Sequence, residues 1–304
     1  MHDIVVIGAG PAGLTAGIFA VRRSMDVVVL GDPSAMSTME EASIVDDWLG
    51  APGTMGPELM QKFKEHAKKL GVPVRMEKAV EIRKAKNGFV VKSDKSEYST
   101  KTVIIATGAK HKKAMVSGEE KFAGRGVSYC ANCDGPIFRG RKVAVIGGGD
   151  TAATYALLLE QMGADTTLVH RRDELRAVDV YRKELAKSKV KFIWNAVLKE
   201  IKGDKMVKSI VVQDVKTKKT KEIPMDGVFV AIGSVPASEL GRNVGIKTNE
   251  SGFIIVDRKQ MTSVPGVFAA GDCSDNCTKR IVTASAEGSI ATEMAFEFIR
   301  EKEL

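Results

Sequence analysis

The 304-residue chain is poor in several things, and each shortage excludes something. Aromatic residues make up 6% of it, and no basic stripe is interleaved with them, so a nucleic-acid surface is not expected. No apolar run approaches the roughly 20 residues that cross a bilayer as a helix, so no membrane span is expected. There are only four cysteines, and in a chain read as cytosolic they suggest redox or metal chemistry rather than a structural disulfide framework. The opening "MHDIVVIGAGPAG" runs straight into a strand-like stretch without a basic segment or cleavage site. Neither a secretory signal nor a transit peptide is read there, the final "EKEL" is not read as a retention tail, and a cytoplasmic protein is expected. Acidic residues are in the minority, 38 against 46 basic ones, for a net charge of +8. That balance can steer an acidic partner or an anionic cofactor, but the lysines are scattered, as in "KTKKTKE", and the plainer reading is a well-solvated surface.

What the chain does have is one design used twice. Asp3 to Asp32 reads "DIVVIGAGPAGLTAGIFAVRRSMDVVVLGD", and Lys142 to Arg172 reads "KVAVIGGGDTAATYALLLEQMGADTTLVHRR". Each is a strand-length apolar run, a Gly-x-Gly-x-x-Gly/Ala turn, a helix-period stretch and a second apolar run. Parallel strands need such a crossover, so two units imply two doubly wound sheets in an α/β protein. The length suffices for two domains. "TVIIATGAK" and "GVFVAIGSVP" read as sheet strands that run into interdomain connections. "KNGFVVKSDKSEYSTK" and "VKSIVVQDVKTKKTKEIP" read as antiparallel hairpins, and "TASAEGSIATEMAFEFIREK" as a closing helix. The chain is therefore expected to begin in one domain, cross to a second and return to finish the first.

The glycines have separate tasks. Gly8 permits the tight turn, Gly10 lets backbone approach a pyrophosphate, and Gly13 lets the helix pack on the strand, with Pro11 and Ala12 opening the helix whose N–H groups face the phosphates. Gly147, Gly149 and Ala152 take the same parts in the second unit, with Asp150 and Thr151 between them. Where NAD recognition usually places a carboxylate, the second unit has His170, Arg171, Arg172 and, one helical turn on, Arg176. Guanidinium forks suit a 2′-phosphate dianion, so this half is read as an NADPH site. The first unit has no such basic group, only Asp32 after "VVVLG", which fits a different dinucleotide, FAD.

Cys130 and Cys133, in "YCANCDG", have two readings. Together with Cys273 and Cys277 they fall within zinc-site spacings, which would make the chain a zinc-stabilised binding protein. Alternatively, a C-x-x-C pair closes a small, readily exchanged disulfide with one acidified thiol, beside Asp134 as a proton carrier. Cys273 directly follows "FAAGD", a turn better suited to a cofactor than to a metal knuckle, and this favours the redox reading.

With "GAGPAG", "ATG", "CANCDG", "GGGDTA", "HRRDELRA" and "PGVFAAGD" in that order, the chain resembles the low-molecular-weight thioredoxin reductases of the bacterial and archaeal type, from about residue 3 to 298. The resemblance implies two Rossmann-like domains of three-layer ββα build, one inserted in the other: FAD-binding at 1–112 and 238–304, NADPH-binding at 113–237. It implies that hydride passes from NADPH to FAD, that Cys133 faces the flavin, that Cys130 attacks the partner's disulfide, and that Asp134 handles the proton. The partner would be thioredoxin or a thioredoxin- or glutaredoxin-like protein, and the assembly a homodimer. The resemblance adds Thr38, Asp47, Thr107, Gly108, Gly271, Asp272 (on the ribityl chain), Arg280 and Ile281 to the FAD contacts, and Gly233 to those of NADPH. It makes Gly108 to Lys113 and Gly233 to Ala237 the hinges of a domain rotation. Two departures stand out: Met36-Ser37-Thr38 replaces a common Gly-Gly-Gln, and Arg280 stands where Gln often follows a basic residue. A reductase fed by ferredoxin or a deazaflavin is the alternative within the same fold; retention of the arginines argues for NADPH.

Overall fold

The structure, a computed structural model, describes residues 1–42 and 45–303. It separates into two compact units. One consists of Met1–Glu41, Val45–Lys110 and the stretch resuming at Val235; the other is His111–Ser234. The changeovers at 110/111 and 234/235 lie two and three residues before the expected boundaries at 112/113 and 237/238.

The first unit opens with β1 (His2–Ile7), α1 (Pro11–Arg22), β2 (Val27–Gly31), α2 (Gly56–Lys69) and β3 (Val74–Met76). A meander follows of β4 (Ala79–Ala85), β5 (Gly88–Ser93) and β6 (Glu97–Ile105). β6 serves two layers. Its first half pairs antiparallel with β5, whereas Thr102 to Ile105 run parallel to β1. The "KNGFVV" turn signal thus marks the hairpin as expected, with Gly88 at φ +135° and its ideal Cβ position only 2.2 Å from Thr100 O, so no side chain fits there.

The chain then passes through β7 (Ala109–His111) into the second unit: β8 (Val127–Ser128), a one-turn α3 (Ala131–Asp134), β9 (Lys142–Gly147), α4 (Asp150–Gln161), β10 (Asp165–Val169), α5 (Asp179–Lys187) and β11 (Lys191–Ile193). The hairpin strands β12 (Ala196–Gly203), β13 (Val207–Asp214) and β14 (Thr220–Pro224) precede β15 (Gly227–Ala231). β16 (Ser234–Pro236) pairs with β7, so both crossings lie in one two-stranded ribbon. The first unit is completed by α6 (Glu239–Arg242), β17 (Val267–Ala269), which adds parallel to β6, and α7 (Ile281–Glu303). "GFIIVD" forms no strand; Ile254 makes isolated bridges only.

Strand periodicity shows how each sheet is covered. In β9, Val143 and Val145 meet Ala152, Ala153, Ala156 and Leu159 on the α4 side. Ala144 and Ile146 face the opposite way, onto Leu198, Ile201, Ile210 and Val212 of the β12–β13–β14 sheet. In the first unit, Val5 and Ile7 pack with Ile82, Phe89 and Val91 of the meander. Small residues let α1 and α7 approach on the other side: a Cβ on Gly288 would sit 2.1 Å from Ala12 O, and Thr292 Oγ1 donates to Ala16 O at 3.1 Å. Both units are three-layer ββα, each around a parallel sheet whose strands are buried on both faces. Each fully buried Val, Ile or Leu there contributes about 1.5–3 kcal/mol. Among the described residues no helix is long and apolar enough to cross a membrane.

Candidate functional site

In the first unit the β1–α1 turn is glycine for two distinct reasons. Gly8 has φ +119° and an ideal Cβ 2.1 Å from Ala106 O; a Cβ on Gly13 would stand 1.8 Å from Gly8 O. Protein atoms alone forbid side chains at both. Gly10 differs: a Cβ there would meet nothing nearer than Ser37 Oγ at 3.7 Å. The chain leaves room over Gly10, at the start of α1, whose first turn holds no acidic residue. Free N–H groups, a favourable dipole and open space suit a dinucleotide's pyrophosphate.

Several of the other predicted residues of this half come close to the turn: Thr107 to Gly8, the Ser37 next to Thr38 to Gly10, and Gly271 to Ala12. Asp32 follows β2, which is tied to the turn through Gly8 N–H donating to Leu30 O at 2.8 Å. Burial works against its charge, but Ser34 N–H (2.8 Å) and Oγ (2.6 Å), with Lys78 and Lys110, hold its carboxyl below the usual range. Ser37 and Thr38 arrive beside Gly10, Thr38 opening a 3-10 turn. Thr107 and Gly108 follow β6; Gly271 and Asp272 follow β17, with Gly271 against Ala12. Arg280 Nη1 lies 3.8 Å from Asp47 Oδ2, and Ile281 begins α7. Asp272 accepts no hydrogen bond among the described residues. Burial pushes its carboxyl up, partly countered by Lys279 and Arg280. A half-buried carboxylate lacking a donor fits a hydroxyl-bearing ligand chain.

One residue here carries no sequence motif. Glu287, buried in α7, accepts Gly271 N–H at 2.7 Å and so fixes the turn that presents Asp272. Burial pushes its carboxyl up against the opposing pull of Gly271 N–H, Asn276 and Lys279, with Asp272 adding to the rise. A carboxyl whose folded pKa is raised favours folding most below its unfolded value, near 4.5, and loses that contribution as pH climbs through the folded pKa. Glu287→Gln, neutral throughout and still an acceptor, is therefore expected to gain in melting temperature relative to the parent between pH 4.5 and 8. A constant offset in melting scans across that range would contradict the assignment.

In the second unit Gly147 is forced by Ala231 O, 2.3 Å from its ideal Cβ, and Gly148 by the His170 ring at 2.1 Å. At Gly149 a Cβ would meet nothing within 4 Å, the same vacancy of protein atoms as over Gly10. Asp150, Thr151 and Ala152 open α4. Arg176 N–H donates to Gly148 O at 2.7 Å and Val178 N–H to Asp150 Oδ1 at 2.8 Å, so the arginine segment folds back over the helix start. Arg171, Arg172 and Arg176 are exposed, and among the described residues none of them is in an ion pair. His170 is buried, and among the described residues its Nε2 has no hydrogen-bond partner; burial, then the three arginines, push its pKa down against a hydrogen bond with Gly147. Three exposed, unneutralised guanidiniums fit an anionic adenosine phosphate, while the neutral His170 ring beneath them, its Nε2 an acceptor, is suited to packing under Gly148 rather than to holding an anion. Gly233, at φ +104°, follows β15 two residues beyond Ala231.

The cysteine turn occupies the end of β8, which pairs with β15. Cys130 and Cys133 are joined by a disulfide with Cα atoms 5.3 Å apart. Cys133 N–H points at Cys130 Sγ (3.2 Å), Cys130 N–H is held by Ser128 Oγ (3.0 Å), and Asp134 is buried in the same turn. Tyr155 of α4 donates to Tyr129 O at 3.1 Å, so the helix that begins at the glycine turn also braces the disulfide. Buried Glu119, another residue without a motif, accepts Ala114 N–H (2.9 Å), Met115 N–H (2.7 Å) and Tyr129 OH (3.0 Å). At Gly135 a Cβ would stand 2.6 Å from Met162 Sδ and 3.2 Å from a Leu159 methyl, so a side chain there would displace those two residues.

The four-cysteine zinc arrangement does not form. Cys130 and Cys133 are bonded to each other, and no group of three or more His, Cys, Asp or Glu among the described residues is placed to hold a metal. Cys273 is buried, its thiol 3.4 Å from the carbonyls of Ile105 and Ala270, and burial pushes it up, away from thiolate. Cys277 is exposed and free.

The pyridine nucleotide-disulphide oxidoreductase family matches residues 2–288. The chain is 39% identical over 303 residues to the thioredoxin reductase of Bacillus subtilis (strain 168), a match covering 99% of this chain and 96% of that one. Among solved structures, the thioredoxin reductase of Streptococcus pyogenes MGAS5005 superposes with a TM-score of 0.91 at 36% identity, covering 99% of both chains. That of Lactococcus lactis gives a TM-score of 0.70 at 39% identity, covering 99% of this chain and 100% of the other.

Proposed function

The chain belongs to the pyridine nucleotide-disulphide oxidoreductase family, and from that premise we propose that it is an FAD-carrying, NADPH-dependent thioredoxin-disulfide reductase working through Cys130 and Cys133. The observation that carries this reading is the Cys130–Cys133 disulfide, standing in the same unit as the Gly147–Ala152 turn and three unpaired arginines. FAD, when bound, supplies a two-electron relay between a nicotinamide and a disulfide. The residues to hold it are Gly8 to Gly13, Thr38, Asp47, Thr107, Gly108 and Gly271 to Asp272, with Arg280 and Ile281. Gly147 to Ala152 and Gly233 hold NADPH, with Arg171, Arg172 and Arg176 on its 2′-phosphate.

The chemistry of the cysteine turn follows from its hydrogen bonds. Once two electrons have opened the disulfide, the thiolate at Cys130 is favoured by Cys133 N–H, which already points at its sulfur. Cys130 attacks one sulfur of the thioredoxin disulfide, forming a mixed disulfide and releasing a thiolate. Cys133 then attacks Cys130, restoring the disulfide and releasing the second partner sulfur as thiol. Asp134 is assigned the proton exchanged with Cys133. Gly108 (φ +69°) and Gly233 (φ +104°), whose Cβ positions are open or nearly so, are assigned as hinge points because no packing demands glycine there. A homodimer in the cytoplasm is part of the same proposal.

The direct test is the anaerobic visible spectrum of the purified protein with and without NADPH. The yellow flavin band is expected to bleach within seconds, and much more slowly with NADH. A band that ignores NADPH and responds to reduced ferredoxin or a reduced deazaflavin replaces the donor; protein with bound zinc and no flavin band overturns the enzyme reading.

A further inference from the structure

Trp194 belongs to neither cysteine turn nor glycine turn, yet the backbone holds it firmly beside the arginines. It follows β11, at the edge of the parallel sheet next to β10. His170 N–H donates to Ile193 O at 2.9 Å, Ala196 N–H to His170 O at 3.0 Å, and Asn195 N–H to Arg172 O at 3.1 Å. These three bonds bracket the indole and zip its segment onto the strand end that carries His170, Arg171 and Arg172. Asn195 takes φ +51° to make the turn, a left-handed conformation that Asn tolerates better than most residues.

The indole is supported but not enclosed. Phe192 stacks parallel to it, ring centroids 4.8 Å apart at 5°, and His170 meets it edge-on at 6.4 Å and 79°. Even so, 37% of Trp194 is exposed. Among the described residues no cation lies over its ring: the cation–π contacts are made by Arg23, Lys121, Lys279 and Arg300, on phenylalanines. A tryptophan that merely covered a sheet edge would be expected to bury itself or to take a neighbouring guanidinium. This one stays open on a segment whose backbone is tied to Arg172, with the His170 ring edge-on to it.

We propose that Trp194 is the stacking surface for the purine of the pyridine nucleotide, backed by Phe192, so that one strand end reads both the base and the 2′-phosphate of the adenosine half. The proposal rests on the NADPH reading above. Trp194 is a binding residue: nicotinamide chemistry lies at the other end of the nucleotide, so its loss should raise the KM for NADPH and leave kcat nearly unchanged.

The test uses adenosine 2′,5′-bisphosphate, which carries the purine and 2′-phosphate without the nicotinamide, titrated calorimetrically into the flavin-loaded protein. Base–aromatic stacking predicts about tenfold weaker binding for Trp194→Ala and about twofold for Trp194→Phe. The chain has two tryptophans, so in Trp48→Phe the remaining indole reports on the site, and its fluorescence is expected to fall as the bisphosphate binds. Equal affinity of Trp194→Ala and parent, or unchanged fluorescence of Trp48→Phe at saturation, overturns the stacking role alone. A parent protein that does not bind the bisphosphate overturns the NADPH reading, and the stacking role with it.

Discussion

Cys130→Ser is expected to lose thioredoxin reduction by at least about a thousandfold, as removal of a reaction's nucleophile does, while NADPH still bleaches the flavin band at close to the parent rate. The two halves separate because electrons enter upstream of the substituted sulfur. Serine keeps the turn and can still accept the Cys133 N–H that now reaches Cys130 Sγ, so the fold of Ala131 to Asp134 is preserved. What disappears is the attacking thiolate, since a hydroxyl is not appreciably ionised at neutral pH. Cys133→Ser provides the complementary case. It retains Cys130, so mixing it with oxidised thioredoxin should accumulate a mixed disulfide, visible as a mass increase that a reductant reverses. Cys130→Ser should form no such adduct. An adduct on Cys130→Ser and none on Cys133→Ser would exchange the assigned roles; loss of NADPH bleaching in Cys130→Ser would remove the order of electron flow proposed here.

The parts of this architecture that were legible in the sequence are those fixed by local chemistry. A Gly-x-Gly-x-x-Gly/Ala turn after an apolar run declares its own strand and helix, because Gly8, Gly13 and Gly147 are required by backbone oxygens within about 2 Å of where a Cβ would stand. The two antiparallel hairpins were equally readable from alternation and turn residues. The remainder depends on tertiary burial, which has no period. Glu287 lies in a helix of small residues and gives no sign that it will accept Gly271 N–H sixteen positions earlier. Glu119 sits in "SGEEKF", indistinguishable from a solvated acid until Tyr129 and the 114–115 amides converge on it. "GFIIVD" has strand composition but finds only isolated bridging partners, and so stays irregular. Cys273 and Cys277, alike in sequence, differ because only the first lies under the β6–β17 pair. At the departure from Met36 to Thr38, Ser37 Oγ comes to the rim of the space over Gly10, 3.7 Å from where a Cβ would stand.

Replacing Arg171, Arg172 and Arg176 together by Ala is expected to lower the NADPH-to-NADH preference in kcat/KM by about 10²–10⁴-fold. Charge-assisted hydrogen bonds contribute roughly 1.5–3 kcal/mol each, and two or three on one phosphate give about 3–6 kcal/mol when non-additivity is allowed for. The loss should fall on NADPH, with NADH turnover little changed, because NADH has no group for these guanidiniums to hold. Stability should change little as well: the three side chains are exposed and, among the described residues, none is in an ion pair that the substitutions would break. Salt supplies an independent check. An exposed cationic cluster binding a dianion is screened, so the parent's KM for NADPH should rise steeply with ionic strength, whereas that of the triple variant should be nearly flat. Should the triple variant keep both its preference and its salt dependence, the 2′-phosphate is read elsewhere, and Arg171 to Arg176 are a solvated strand end.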